Sequence, residues 1–196
     1  ARYVTEITCT TADASIAATD KYEINTAIEG YDLAQLGPGT ASAQQITVEF
    51  QFKSNVTGVY GVSVSNSAGN RVYIGTITVS DTSVHDYSVT LTLDTSGTWL
   101  YTNGVGASFR ICLAAGSNFQ GTAGAWGASN LFTTSSQANF MSSTSNVAYL
   151  GRFHVIPGNV VCAYKPADIQ RELAKAQRQW QKRTFQAFFY AAIASQ

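Results

Sequence analysis

Ile46-Thr47-Val48-Glu49-Phe50-Gln51-Phe52 alternates apolar and polar residues without a break. In an extended chain this period of two puts Ile46, Val48, Phe50 and Phe52 on one face, the mark of a half-buried antiparallel strand. The same pattern recurs on both sides. Tyr60, Val62 and Val64 are broken by Ser63 and Ser65, and Val89, Leu91 and Leu93 alternate with Thr90 and Thr92. Val105, Ala107, Phe109, Ile111 and Leu113 repeat it, and Val147, Tyr149, Phe153 and Val155 form a late set. Further strands are expected near 2–10, 22–29 and 72–79.

Turn-forming residues separate these runs. Asn66-Ser67-Ala68-Gly69-Asn70 reads as a hairpin loop, and Asp94-Thr95-Ser96-Gly97, Asn103-Gly104 and Pro157-Gly158-Asn159 punctuate the later strands. Eight or nine short strands at this spacing predict an all-β fold, a jelly-roll-like β-sandwich over residues 1–165. Residues 116–146 lack any period. A stretch that long inside a domain is expected to be functional.

The composition changes at Pro166. From there the chain is rich in Gln, Ala, Arg and Lys, with no glycine. Pro166 suits the first turn of a helix, and Ile169, Leu173, Ala176 and Trp180 fall on one narrow stripe. Residues 166–196 are therefore expected to form a C-terminal helical segment for assembly. Its apolar stripe is expected to bury against copies of the same chain, because a short isolated helix is marginal in water. The formal net charge of zero hides an asymmetry. Seven basic against ten acidic residues give −3 up to residue 165, and the tail carries +3. This balance favours neither nucleic acid nor an anionic membrane, and no apolar run is long enough to span a bilayer. Cys9, Cys112 and Cys162 are odd in number and far apart, which reads as buried thiols rather than a disulfide framework. The chain starts with Ala1, inside what reads as a strand, so a processed chain or a piece of a longer one is expected.

No catalytic residue is assigned. The sequence has no GxSxG, HExxH, P-loop or GxGxxG pattern. His85 and His154 have no ligand partners at metal spacing, so no metal site and no cofactor are expected. Glu23, Glu29 and Asp32 are the nearest carboxylates to one another, but acids at strand ends are ordinarily solvated. Calcium would call for an acidic loop of the DxDxD type, which is missing. The aromatics give the one binding signal. Trp99, Tyr101, Trp126, Phe119 and Phe132 lie in or beside loops rich in Gly, Ser and Asn, and Tyr31 follows a glycine. Trp99, Tyr101 and Trp126 form a candidate glycan platform. The alternative is that the two tryptophans plug the ends of the core.

Ordered motifs along most of the chain carry a resemblance. They include Ile28-Glu29-Gly30-Tyr31-Asp32-Leu33-Ala34, Gly39-Thr40-Ala41-Ser42-Ala43 and Asn66-Ser67-Ala68-Gly69-Asn70-Arg71-Val72-Tyr73. They continue with Gly97-Thr98-Trp99, Ala115-Gly116-Ser117-Asn118-Phe119-Gln120, Thr122-Ala123-Gly124-Ala125-Trp126 and Arg171-Glu172-Leu173-Ala174-Lys175-Ala176-Gln177-Arg178. The chain resembles a recurrent domain of tailed-bacteriophage and prophage virion proteins, the tail fibres and tailspikes, with a carbohydrate-binding-module-like sandwich and a helical segment after it. Gln179-Trp180 stands where that family has a double aromatic. The resemblance implies a non-enzymatic virion structural protein in a tail or other external appendage. Its expected partners are copies of itself, as a homotrimer, other virion proteins and host surface polysaccharide. A ligand-free capsid-decoration or baseplate scaffold is the alternative.

Overall fold

Nine strands run in chain order: β1 (Val4–Thr8), β2 (Lys21–Glu29), β3 (Gln45–Ser54), β4 (Gly58–Asn66), β5 (Val72–Val79), β6 (His85–Thr92), β7 (Val105–Ala115), β8 (Trp126–Gly127) and β9 (Val147–Pro157). They come from a computed structural model that describes residues 4–159 together with Gln170, Leu173, Ala174, Ala176 and Gln177. Packing divides the chain into two compact units, Ala1–Ala163 and Tyr164–Gln196.

The strands form two antiparallel sheets, ordered β1-β9-β3-β6 and β2-β7-β4-β5-β8. Their pairing is nested: β4 with β5, β3 with β6, β2 with β7, and β1 with β9. A single long hairpin, centred on the Asn66–Asn70 turn and rolled until its arms close into two sheets, gives this order. The fold is a jelly-roll β-sandwich. Between the sheets the alternation does what the sequence predicts. Ile46, Val48, Phe50 and Phe52 meet Tyr60, Val62, Val64, Phe109 and Ile111 in one buried cluster. Phe52 packs edge-on against Tyr60 at 5.3 Å, and Phe50 stacks near Phe153 at 6.1 Å. Each such ring contributes about 1.5–3 kcal/mol by leaving water.

The late strand departs from the expected single set. Ala148 and Leu150 face the core, and then Phe153 and Val155 do, so Val147 and Tyr149 fall on the other face. The cause is a bulge. The register with β3 slips between Glu49 and Gln51, and Arg152 sits at φ 50°, the left-handed region. One extra residue resets which side chains point inward.

Residues 116–146 are the stretch without a period. They form a roof laid over the outer face of the second sheet, along β5, β4 and the adjoining part of β7. The 3-10 turn Ser117–Phe119 starts it, β8 adds two residues to the edge of β5, and the path returns past Gly61 and Gly58. Gln137 anchors the return. Its side chain accepts from the Gly61 N–H at 3.0 Å and donates to the Cys112 carbonyl at 3.1 Å. A second turn, Phe140–Ser142, then drives Phe140 fully into the core.

Gly61 permits this contact. A Cβ there would lie 2.5 Å from the Phe132 carbonyl oxygen and 2.6 Å from the Thr133 Cβ. Gly61→Ala is therefore expected to cost about 1–3 kcal/mol by overpacking. In hydrogen exchange it should lower protection in residues 131–137 well before the β3–β6 pairing is affected.

The second unit is described only at Gln170, Leu173, Ala174, Ala176 and Gln177, all helical and exposed. Leu173 is 48% exposed. Ile169 and Trp180, the other two members of the expected stripe, lie outside the described residues.

Candidate functional site

Three strand connections and the roof meet at one end of the sandwich. They are residues 30–44 between β2 and β3, 67–71 between β4 and β5, 93–104 between β6 and β7, and the part of the roof around β8. Their meeting point is fixed by a buried ion pair. Asp94, 3% exposed, receives both Nε and Nη2 of Arg71, the second at 3.0 Å. It also accepts from the Ser96 N–H and hydroxyl, each at 3.0 Å. Burial alone would raise the Asp94 pKa. The Arg71 and Ser96 hydrogen bonds outweigh it and hold the carboxyl below the usual range, while the bond to Asp94 raises the Arg71 pKa.

Asn66 ties the hairpin to the same point. Its amide donates to Asn70 at 2.7 Å and to the Thr98 carbonyl at 3.0 Å, and its oxygen accepts from the Asn70 and Arg71 N–H groups. The Gly39 N–H joins in by donating to the Asp94 carbonyl at 2.7 Å.

The sequence-predicted rings stand on this base in three different ways. Trp99 is 7% exposed and belongs to the core cluster, with its indole N–H donated to the Ser96 carbonyl at 3.1 Å. It offers no open face. The ring closes the open end of the sandwich. Trp126 is half-buried. It meets Trp99 edge-on at 5.6 Å and Tyr73 at 5.8 Å, and donates its N–H to the Thr92 carbonyl at 2.8 Å. Tyr101 is 39% exposed and pinned through its hydroxyl to the Pro38 carbonyl. Leu100, Val105 and Tyr31, in or next to the same connections, are exposed as well. The short helix Gly30–Leu33 holds Tyr31 there, its first N–H groups donating to the Gly104 and Thr102 carbonyls at 2.9 and 3.1 Å.

The structure therefore brings Trp126 and Tyr101 to one end with Trp99 behind them. Phe119 and Phe132 lie elsewhere, packed on each other at 5.3 Å beneath the roof. Sequence reasoning missed Tyr73, which looked like an ordinary strand residue, and the Arg71–Asp94 pair. The nearest signal for that pair was its position, with each member flanking a turn.

The end presents apolar aromatic surface, and its Arg71 and Asp94 charges are paired with each other. Among the described residues no group of three or more His, Cys, Asp or Glu side chains could hold a metal ion.

No protein-family model matches the sequence, and no curated protein matches it. Among solved structures the chain is similar to one described as "CBM4 structure and function", a carbohydrate-binding module. The TM-score is 0.42 at 12% identity, over 79% of this chain and 71% of that one. It is also similar to an arabinose-bound α-L-arabinofuranosidase, with a TM-score of 0.39 at 12% identity, over 74% of this chain and 19% of the enzyme. The chain thus spans about a fifth of that enzyme's length. Likenesses of this size bear on the fold alone.

Two outcomes test the architecture of this end. Trp99→Ala is expected to cost about 3–5 kcal/mol in urea unfolding, as a large buried ring is lost. Asp94→Asn is expected to cost about 2–4 kcal/mol at neutral pH by stranding Arg71. With its folded pKa depressed, Asp94 stabilises the fold above its ordinary value of 3.8, and that contribution is lost as pH falls through the lower folded value. The gap between parent and variant should therefore close in acid, below about pH 4.

Proposed function

We propose that this chain is a non-catalytic glycan-binding domain of a virion appendage, displayed in several copies, and that the loop end carrying Trp126 and Tyr101 meets the sugar. The observation that carries this reading is the pairing of an exposed or half-exposed aromatic surface with a rigid base. Trp126 and Tyr101 are each pinned by a hydrogen bond to backbone, so little side-chain freedom is lost when a ligand binds. A sugar's C–H face packs on such rings, while nearby amides and hydroxyls serve its hydroxyl groups. The resemblance to tail-fibre and tailspike proteins supports a place on a phage particle and host-surface polysaccharide as the ligand.

Leu173 supports the multiple copies. It is an exposed leucine on a helical segment, and Ala176, three residues on, shares its face. Weak single sites then add up through avidity. The scaffold reading draws on a different observation. Both tryptophans pack on the core and both indole N–H groups are already satisfied, as expected of plugs with no ligand.

A glycan array followed by calorimetry on the bound polysaccharide separates the two readings. Trp126→Ala and Tyr101→Ala should each weaken binding about tenfold, on the order of 1.4 kcal/mol, without unfolding the sandwich. No binding on a multivalent array would leave the scaffold. Light scattering tests the assembly. The full chain is expected to run as a trimer, and Leu173→Asp to shift it towards monomer.

A further inference from the structure

The roof covers β4 and β5 and reaches β7 through Phe132, which packs on Cys112 and Ala115; beside it, on the outer face of β2 and β7, lies a charged cluster. Its members are Lys21 and Glu23 on β2 and Arg110 on β7, with Ser65 of β4 behind them. Glu23 stands between two cations, its oxygens 3.7 Å from the Lys21 ammonium and 3.3 Å from Arg110 Nε. Both cations also rest on Phe132, Lys21 at 4.4 Å and Arg110 at 5.2 Å from the ring centre. These three charged side chains sum to +1.

Arg110 is the unusual member. Its side chain is only 11% exposed, and among the described residues the guanidinium makes one hydrogen bond, from Nη1 to the Ser65 hydroxyl at 2.7 Å. Its Nε is near Glu23 but lacks hydrogen-bond geometry, and Nε and Glu23 Oε2 are both buried without such a partner. Desolvation pulls the Arg110 pKa down, with Glu23 opposing. Of the five N–H donors of a guanidinium, Nη1 gives one to Ser65 and Nε turns towards Glu23, while Nη2 is not among the buried unpartnered atoms and its donors face outward. Ser63, opposite Arg110 on β4, adds a fully buried hydroxyl with no partner among the described residues. Lys21, 38% exposed, stands at the rim.

We propose that this cluster is a second ligand site, separate from the aromatic loop end, and that it takes a carboxylated sugar unit of a glycan. The sugar carboxylate meets the outward Nη donors of Arg110 and the Lys21 ammonium, answering the residual positive charge. A neighbouring sugar hydroxyl donates to Glu23. The mixed set distinguishes this ligand from a bare anion, which Glu23 would repel, and from a neutral sugar, which would leave the net charge unanswered.

Amide NMR titration of the full chain with sodium D-glucuronate tests the site, with D-glucose and sodium acetate as the neutral and sugar-free counterparts. Glucuronate is expected to shift the amides of residues 21–25 and 108–112, at least tenfold more tightly than either control. Lys21→Gln changes an exposed side chain and should leave the fold intact while weakening glucuronate three- to tenfold. Trp126→Ala should leave glucuronate binding unchanged. Equal response to acetate, equal response to glucose, absence of shifts on β2 and β7, or indifference to Lys21→Gln would each overturn the proposal. So would shifts confined to residues 93–104 that vanish in Trp126→Ala, a result that leaves the loop-end reading standing.

Discussion

A sandwich hides the inner faces of its two sheets by stacking them, but nothing in a strand closes the ends. Water would reach Phe50, Phe52 and Phe109 from either side unless other residues shut it out. Much of the irregular structure here answers that constraint. Trp99 and Trp126 close the end where the hairpin and two other connections meet, and Phe140 closes the opposite one. The Arg71–Asp94 pair and the Asn66 amide are the struts that keep the first closure in place. A buried pair of this kind adds little net stability against an apolar substitute. Its value here lies in direction, since it fixes three connections against one another.

The same constraint sets how much of the loop end is free for ligand. A tryptophan that plugs a core cannot show both faces. Trp99 has surrendered its face entirely, and Trp126 keeps part of one. Tyr101, tied to Pro38 only at its hydroxyl, retains the most surface of the three. Any glycan held there rests on a surface built first for closure.

The strands were legible in the sequence because a period of two needs only neighbouring residues to be read. The pairing order was harder, though the hairpin at Asn66–Asn70 marks its centre. The bulge at Arg152 was not legible. It shifts the pattern by one residue within an otherwise regular run, and its left-handed backbone sits on an arginine rather than a glycine. The roof was not legible either, since its order comes from side-chain bonds such as those of Gln137 that reach residues far away in the chain. At the candidate site, ring type and loop location were readable for Trp99, Tyr101 and Trp126. Which ring turns inward was not, because that depends on the void left between two sheets. The Arg71–Asp94 pair joins residues from separate connections, so neither one announces the other.

The two surfaces proposed for ligands differ in the physics that made them. The loop end is aromatic, with Arg71 and Asp94 spent on an internal strut. The second surface is charged because Lys21, Glu23 and Arg110 stand together beside Phe132. Both stand on strands locked by the same nested pairing, so neither needs to reorganise for the other to fill. On the proposed reading a polysaccharide would meet one with its ring faces and the other with its acid groups. In the proposed assembly of several copies the two kinds of site would be repeated. Against a repetitive polysaccharide, several weak and unlike sites discriminate better than one tight site. A wrong glycan can satisfy one kind of site in every copy and still lose the other in all of them.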